Sequence, residues 1–182
     1  MACAWLLAAL LPQGGATAQD RAIELPRVEA AFLRNFARYV GWPARAFAGE
    51  RTPWSVCVLG DNHFDGALEA TFQGRTEQGR TFEVLRATSL DRLPACQIVF
   101  VDLPQATERR AALRELKKRP VLTVGHGAEF LDEGGIIRLT AGERIEMSIN
   151  LDQARAVALT IPSKMLEVSR EVVDNGVLRR LR

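Results

Sequence analysis

Between residues 27 and 40, Val28, Phe32, Phe36 and Val40 recur every fourth position with Tyr39 alongside, after Pro26 and before Gly41. Such spacing shares one helical face, proline suits a first turn and glycine stops the last, so an amphipathic helix is predicted here. Residues 55–59 form an apolar run closed by Gly60-Asp61-Asn62, and 97–101 another with no polar alternation after its first residue. Runs of that kind suit strands covered on both faces. Residues 81–85 and 121–124 read as two further strands, and 64–72 and 105–118 as helices, the second with Ala112, Leu113 and Leu116 inward. Segments 136–139 and 144–149 flank Ala141-Gly142-Glu143 and read as a hairpin whose second strand alternates Ile145, Met147 and Ile149 with polar residues. Two last helices are expected at 152–158 and 163–173, the second ended by Asn175-Gly176 as a C-cap.

Strands alternating with helices and followed by a hairpin predict an α/β fold. The expectation is a single-domain layered sandwich, its sheet mostly parallel with an antiparallel edge hairpin. No linker, repeat or low-complexity segment divides the chain.

Residues 1–18 break this pattern. They carry no charged side chain, run apolar from Ala2 to Leu11, and end in Pro12, Gly14, Gly15 and Ala16-Thr17-Ala18. This is the layout of a secretory signal peptide cleaved between Ala18 and Gln19, leaving 19–182 as one domain in the periplasm. Export changes the cysteine arithmetic: of three cysteines, Cys3 leaves with the leader, and Cys57 and Cys96 remain as an even pair in an oxidising compartment. A disulfide between them follows if the chain is exported, and two buried thiols if it is not. With 24 Lys+Arg against 22 Asp+Glu, the net charge of +2 argues against a nucleic-acid partner.

Candidate chemistry is sparse. Gly74 to Thr81 fits the phosphate-loop spacing with Arg80 in place of lysine, but a helix precedes it and a strand follows, the reverse of what that loop requires. His63 and His126, the only histidines, both follow strands, near Asp61 and Asp102, at the sheet edge where open α/β folds place ligands. Two histidines and one carboxylate make a conceivable metal site. Loop histidines are more often plain surface residues, so neither metal nor cofactor is assigned. No nucleophile elbow, zinc-protease motif or paired carboxylate marks an enzyme. Arg179, Arg180 and Arg182, with Leu178 and Leu181 between them, read as a solvated, frayed tail.

Six blocks stand in a shared order and spacing: Phe32-Leu33-Arg34-Asn35-Phe36, Val40-Gly41-Trp42-Pro43, Cys57-Val58-Leu59-Gly60-Asp61-Asn62-His63-Phe64, Cys96-Gln97-Ile98-Val99-Phe100-Val101, Phe130-Leu131-Asp132-Glu133-Gly134-Gly135-Ile136-Ile137 and Ile149-Asn150-Leu151. Together they resemble the YfiR-like family over nearly the whole mature chain. The resemblance implies a periplasmic regulator without chemistry of its own. It would repress an inner-membrane diguanylate cyclase by binding the periplasmic sensory domain, lowering cyclic di-GMP and biofilm formation. It further implies an outer-membrane lipoprotein that sequesters the repressor, and it matches Cys57 and Cys96 to family cysteines. Departures from the family pattern at His126, Ser148 and Pro162-Ser163 bear on partner specificity. A homodimer is left open.

Repression needs a patch that a partner can cover. Candidates are Trp42 and Phe47 around the Pro43 turn, Trp54, and Met165, Leu166 and Val172 on the expected last helix, with core packing the competing role for each. Two other classes compete with the regulator. One is a small-ligand module using the loops 60–64, 102–104 and 125–128, with Asp61, His63, Asp102 and His126. The other is a secreted hydrolase, which needs a histidine to meet a serine or an aspartate.

Overall fold

The computed structural model describes residues 18–181. In chain order the elements are α1 (Ala18–Tyr39), β1 (Trp54–Gly60), α2 (Ala67–Phe72), β2 (Thr76–Glu77), β3 (Arg80–Ala87), β4 (Ile98–Asp102), α3 (Ala106–Leu116), β5 (Leu122–Gly125), β6 (Ile137–Thr140), β7 (Glu146–Asn150), α4 (Leu151–Ala156), α5 (Ser163–Glu167), β8 (Glu171–Asp174) and β9 (Val177–Arg180). They build one nine-stranded sheet in the order β2-β3-β1-β4-β5-β6-β7-β8-β9. Pairing from β3 through β1, β4 and β5 to β6 is parallel, as the uninterrupted apolar runs require. Antiparallel pairs occur at β2–β3, β6–β7 and β8–β9. The fold is therefore the expected α/β layered sandwich. The β6–β7 hairpin does not end the sheet, because β8 pairs in parallel with β7 and β9 closes the row.

Successive residues of the central strands face opposite layers. Val56, Val58, Ile98, Phe100, Leu122 and Val124 join α1, α2 and α4 in one core, while Cys57, Leu59, Val99 and Val101 join α3 in the other. Cys57 and Cys96 form a disulfide on the α3 side, with Cα atoms 6.1 Å apart.

Several local expectations change. α1 starts at Ala18, so Pro26 lies inside the helix and not at its first position. Val28 and Tyr39 are exposed, and the buried stripe is Glu29, Ala30, Leu33, Phe36, Ala37 and Val40. The reason is rotational: at about 100° per residue, Val28 lies about 120° from Val40, whereas Glu29 lies about 20° from it. Residues 163–173 do not form one helix. α5 stops at Glu167, and Asn175 and Gly176, with φ of 53° and 72°, form the turn of the β8–β9 hairpin in place of a helix cap. Leu178, Arg179 and Arg180 of the expected frayed tail consequently lie in strand β9, and Arg182 lies outside the described residues. Residues 1–17 of the expected leader lie outside the described residues.

The glycine-rich stretch 74–81 is a connection, as its context demanded. Gln78 and Gly79, both at positive φ, turn β2 into β3. Gly125 is glycine for a different reason: a Cβ there would sit 2.5 Å from Phe130 Cε2, so the strand end passes under a fully buried ring.

Candidate functional site

From β1 the chain crosses through α2 to β3 on one side and later reaches β4 and β5 on the other. The carboxyl ends of β1 and β4 therefore border the point where strand order reverses, the crevice in which open α/β sheets hold ligands. Asp102 ends β4, His63 follows β1 and His126 follows β5, so parallel register alone gathers them at one edge. Asp61 donates its backbone N–H to the Asp102 carbonyl at 3.0 Å, but its side chain is exposed and outside the cluster.

The carboxylate at the centre is Glu29 of α1, fully buried on the helix face that packs over the sheet. His126 Nε2 lies 2.5 Å from Glu29 Oε1, and His63 Nε2 lies 2.6 Å from Glu29 Oε2. His63 Nδ1 is 3.0 Å from Asp102 Oδ2. The rings of Phe64 and Phe100 line the inner side, 4.1 Å and 5.1 Å from the His63 ring between centroids. Two histidines and a glutamate thus present three donor atoms within 4.8 Å of one another.

Charge in this arrangement follows from the hydrogen bonds. Each nitrogen of His63 faces a carboxylate, which only accepts, so the ring carries both protons and a positive charge. Burial opposes that charge, but the hydrogen bonds to Asp102 and Glu29 and their negative charges prevail and raise the His63 pKa to about 9. Burial likewise pushes Glu29 up; its bonds to His126 and His63 outweigh this and hold it below the ordinary carboxylate range.

A cleft of about 220 Å³ opens beside the cluster, lined by Asp102, Leu103, Pro104, Arg109, His126 and Gly127. Its wall is fixed by Arg109, which makes a bidentate pair with Glu133 at 2.5 and 2.9 Å and donates to the Leu103 carbonyl at 3.1 Å.

Two of the three predicted strand-end loops, 102–104 and 125–128, line the cleft, and all three reach the cluster, where His63, Asp102 and His126 converge. His63 meets an aspartate, as a hydrolase would need, but its other nitrogen meets Glu29 instead of a hydroxyl nucleophile. Glu29 was not singled out in the sequence. Its signal is an acid on the same helical stripe as Leu33, Phe36 and Val40, where an unpaired charge would be costly.

The candidate partner patch divides. Trp54 is fully buried, and Met165 and Val172 are 7% and 6% exposed, so these three belong to the core. Trp54 is inward because β1 is covered on both faces, with Trp42 and Phe47 packed edge-on to it at 4.9 Å each. Val172 lies on β8 and pairs with Ile149 and Arg179. Trp42, Phe47 and Leu166 are half-buried and keep accessible surface. A separate groove is lined by Phe32, Ile145, Met147 and the exposed Val168, with Arg144, Glu146 and Arg170 around them.

A sequence model for a family described as YfiR/HmsC-like matches residues 26–170. The chain belongs to the YfiR/HmsC-like family. The matched span contains Glu29, His63, Asp102, His126 and both bonded cysteines, and stops before the β8–β9 hairpin. Family membership makes the chain, at that level, a periplasmic regulatory protein connected with diguanylate cyclase control. No described helix is long and apolar enough to cross a membrane.

Proposed function

We propose that this member of the YfiR/HmsC-like family represses an inner-membrane diguanylate cyclase by binding the cyclase's periplasmic sensory domain, without catalysis of its own. The observation that carries this reading is the family match across residues 26–170, which takes in the central sheet and the disulfide. Cleavage between Ala18 and Gln19 would release the chain at the start of α1, and an oxidised Cys57–Cys96 pair suits the compartment. Partner binding would use accessible apolar side chains: Trp42, Phe47 and Leu166, or the Phe32–Val168 groove, whose charged rim and apolar floor match the make-up of interfaces. An outer-membrane lipoprotein competing for the same surface would relieve repression.

The test pairs the purified protein with the periplasmic domain of a membrane diguanylate cyclase encoded in the same genome. Saturable binding in calorimetry, together with a rise in cellular cyclic di-GMP when the gene is deleted, is expected. An unchanged nucleotide level on deletion refutes the repressor role.

The cleft beside His126 favours a second reading, a small-ligand module at the strand ends, because the predicted loops 102–104 and 125–128 line it. At about 220 Å³ it is smaller than the usual drug-sized pocket of about 300–1,000 Å³, which suits a small ligand or an ion. A stabilising shift with such a ligand, and no binding to any cyclase domain, would favour this reading over repression.

A further inference from the structure

We propose that Glu29, His63 and His126 form a binding site for a divalent transition cation of the Zn2+ type, with Asp102 orienting His63 from behind. Three independent features point there. First, donor chemistry: two imidazole nitrogens and one carboxylate oxygen suit zinc and its neighbours, whereas magnesium and calcium call for oxygen ligands. Second, direction: both histidines aim Nε2 at the same carboxylate, and His63 is held through Nδ1 by Asp102 at 3.0 Å. A carboxylate behind a ligating histidine is the arrangement that fixes ring orientation and tautomer in zinc sites. Third, surroundings: Glu29 is fully buried and Phe64 and Phe100 form an apolar inner wall, while His126 is 38% exposed at its side chain and faces the cleft. Ions enter from that side, and a water or small anion has room to complete the coordination.

The distances allow it. Ligand atoms about 2.0–2.1 Å from a tetrahedral zinc stand about 3.3 Å from one another. The three donor atoms all lie within 4.8 Å of one another, with the carboxylate at 2.5 and 2.6 Å from the two nitrogens. Outward movements of about 0.8 Å at the Glu29 contacts would admit the ion, a shift within reach of side-chain torsions. On binding, the Nε2 proton of His63 leaves to solvent while its Nδ1 proton stays on the bond to Asp102, and His126 offers Nε2 to the ion as the neutral tautomer with its one ring proton on Nδ1. Cation binding needs no protein partner, so it can fail or succeed separately from the repressor role.

The experiment uses the exported protein, stripped with chelator, freed of chelator by dialysis and kept oxidised. Calorimetric titration with zinc chloride should give one equivalent per chain and raise the melting temperature, while magnesium chloride leaves it unchanged. Cobalt(II) should give the visible absorption of a four-coordinate site. His126→Ala, at a partly exposed position, should keep the circular dichroism spectrum and lose most zinc affinity. Asp102→Asn should retain the stoichiometry with affinity lower by about 10–100-fold, the usual effect of removing an orienting carboxylate. Glu29→Gln is the direct ligand test, and should it fail to fold, His63→Ala with His126→Ala replaces it. The proposal is overturned if the wild-type protein shows no saturable uptake near one equivalent, or if the double variant binds zinc as the wild type does.

Discussion

Glu29 shows how one residue can organise a site from inside a core. A fully buried carboxylate needs partners for both oxygens, and it has a histidine on each. The same bonds make His63 a charged group in the metal-free protein, and its pKa of about 9 exceeds the ordinary 6.5. A raised pKa means that the folded state holds the proton more tightly than the unfolded chain. The stabilisation is therefore fully present below pH 6.5 and lost as pH rises through about 9. Denaturant titrations of the chelated protein between those pH values should show this decline, and His63→Gln should flatten it. A wild-type profile flat across that window would place His63 neutral. Glu29 itself was legible only as an acid on an apolar stripe, because nothing in the linear pattern shows that two loops distant in sequence bring it histidines.

Among the elements, the disulfide and the last hairpin carry separate consequences. Cys57 on β1 and Cys96 just before β4 close a loop with a sequence separation of 39, containing α2, β2 and β3. Chain-entropy reasoning gives the bond about 3–4 kcal/mol, so reduction should lower the melting temperature markedly, and a Cys57→Ala/Cys96→Ala double variant should match the reduced protein. Equal melting curves with and without reductant would contradict that assignment. The β8–β9 turn depends on Gly176 at φ 72°, with the Asn175 and Gly176 amides donating to the Asp152 carboxylate at 2.9 and 2.7 Å. Gly176→Ala should cost about 1 kcal/mol and speed amide exchange in β9, leaving β1 and β4 protected. Asn-Gly marks both helix ends and hairpins. The helical reading of 163–173 missed the change of period after Glu167, where buried Ser169 bonds the Met165 carbonyl at 2.6 Å and Glu171 pairs with Arg138 at 2.5 Å.

At the scale of the molecule, repression is a matter of exposed surface. Trp54, Met165 and Val172 were candidates because large apolar residues suit interfaces, yet each fills the core. Val168, 57% exposed beside Phe32 and Ile145, is the sharper probe. Val168→Glu should preserve fold and melting temperature and weaken binding to a cognate cyclase domain by at least about 10-fold, or about 1.4 kcal/mol. If it binds as the wild type does, the groove is not the contact and the Trp42–Phe47 side becomes the surface to test. Cellular cyclic di-GMP should rise in step with the loss of binding.

Apolar runs long enough to be strands, and helices between them, were set by local patterning, and so was the α/β class. Periodicity reports which side of an element avoids water, and a parallel sheet needs little more. The cysteine count, taken without the expected leader, pointed to the Cys57–Cys96 pair for the same local reason, since only two thiols then remain. The tertiary structure alone decided which face of α1 turns inward, and hence that Glu29 rather than Asp61 joins His63, Asp102 and His126. That choice depends on the crossing of a helix over strand ends tens of residues away, and contacts of such range leave no periodic trace in the chain.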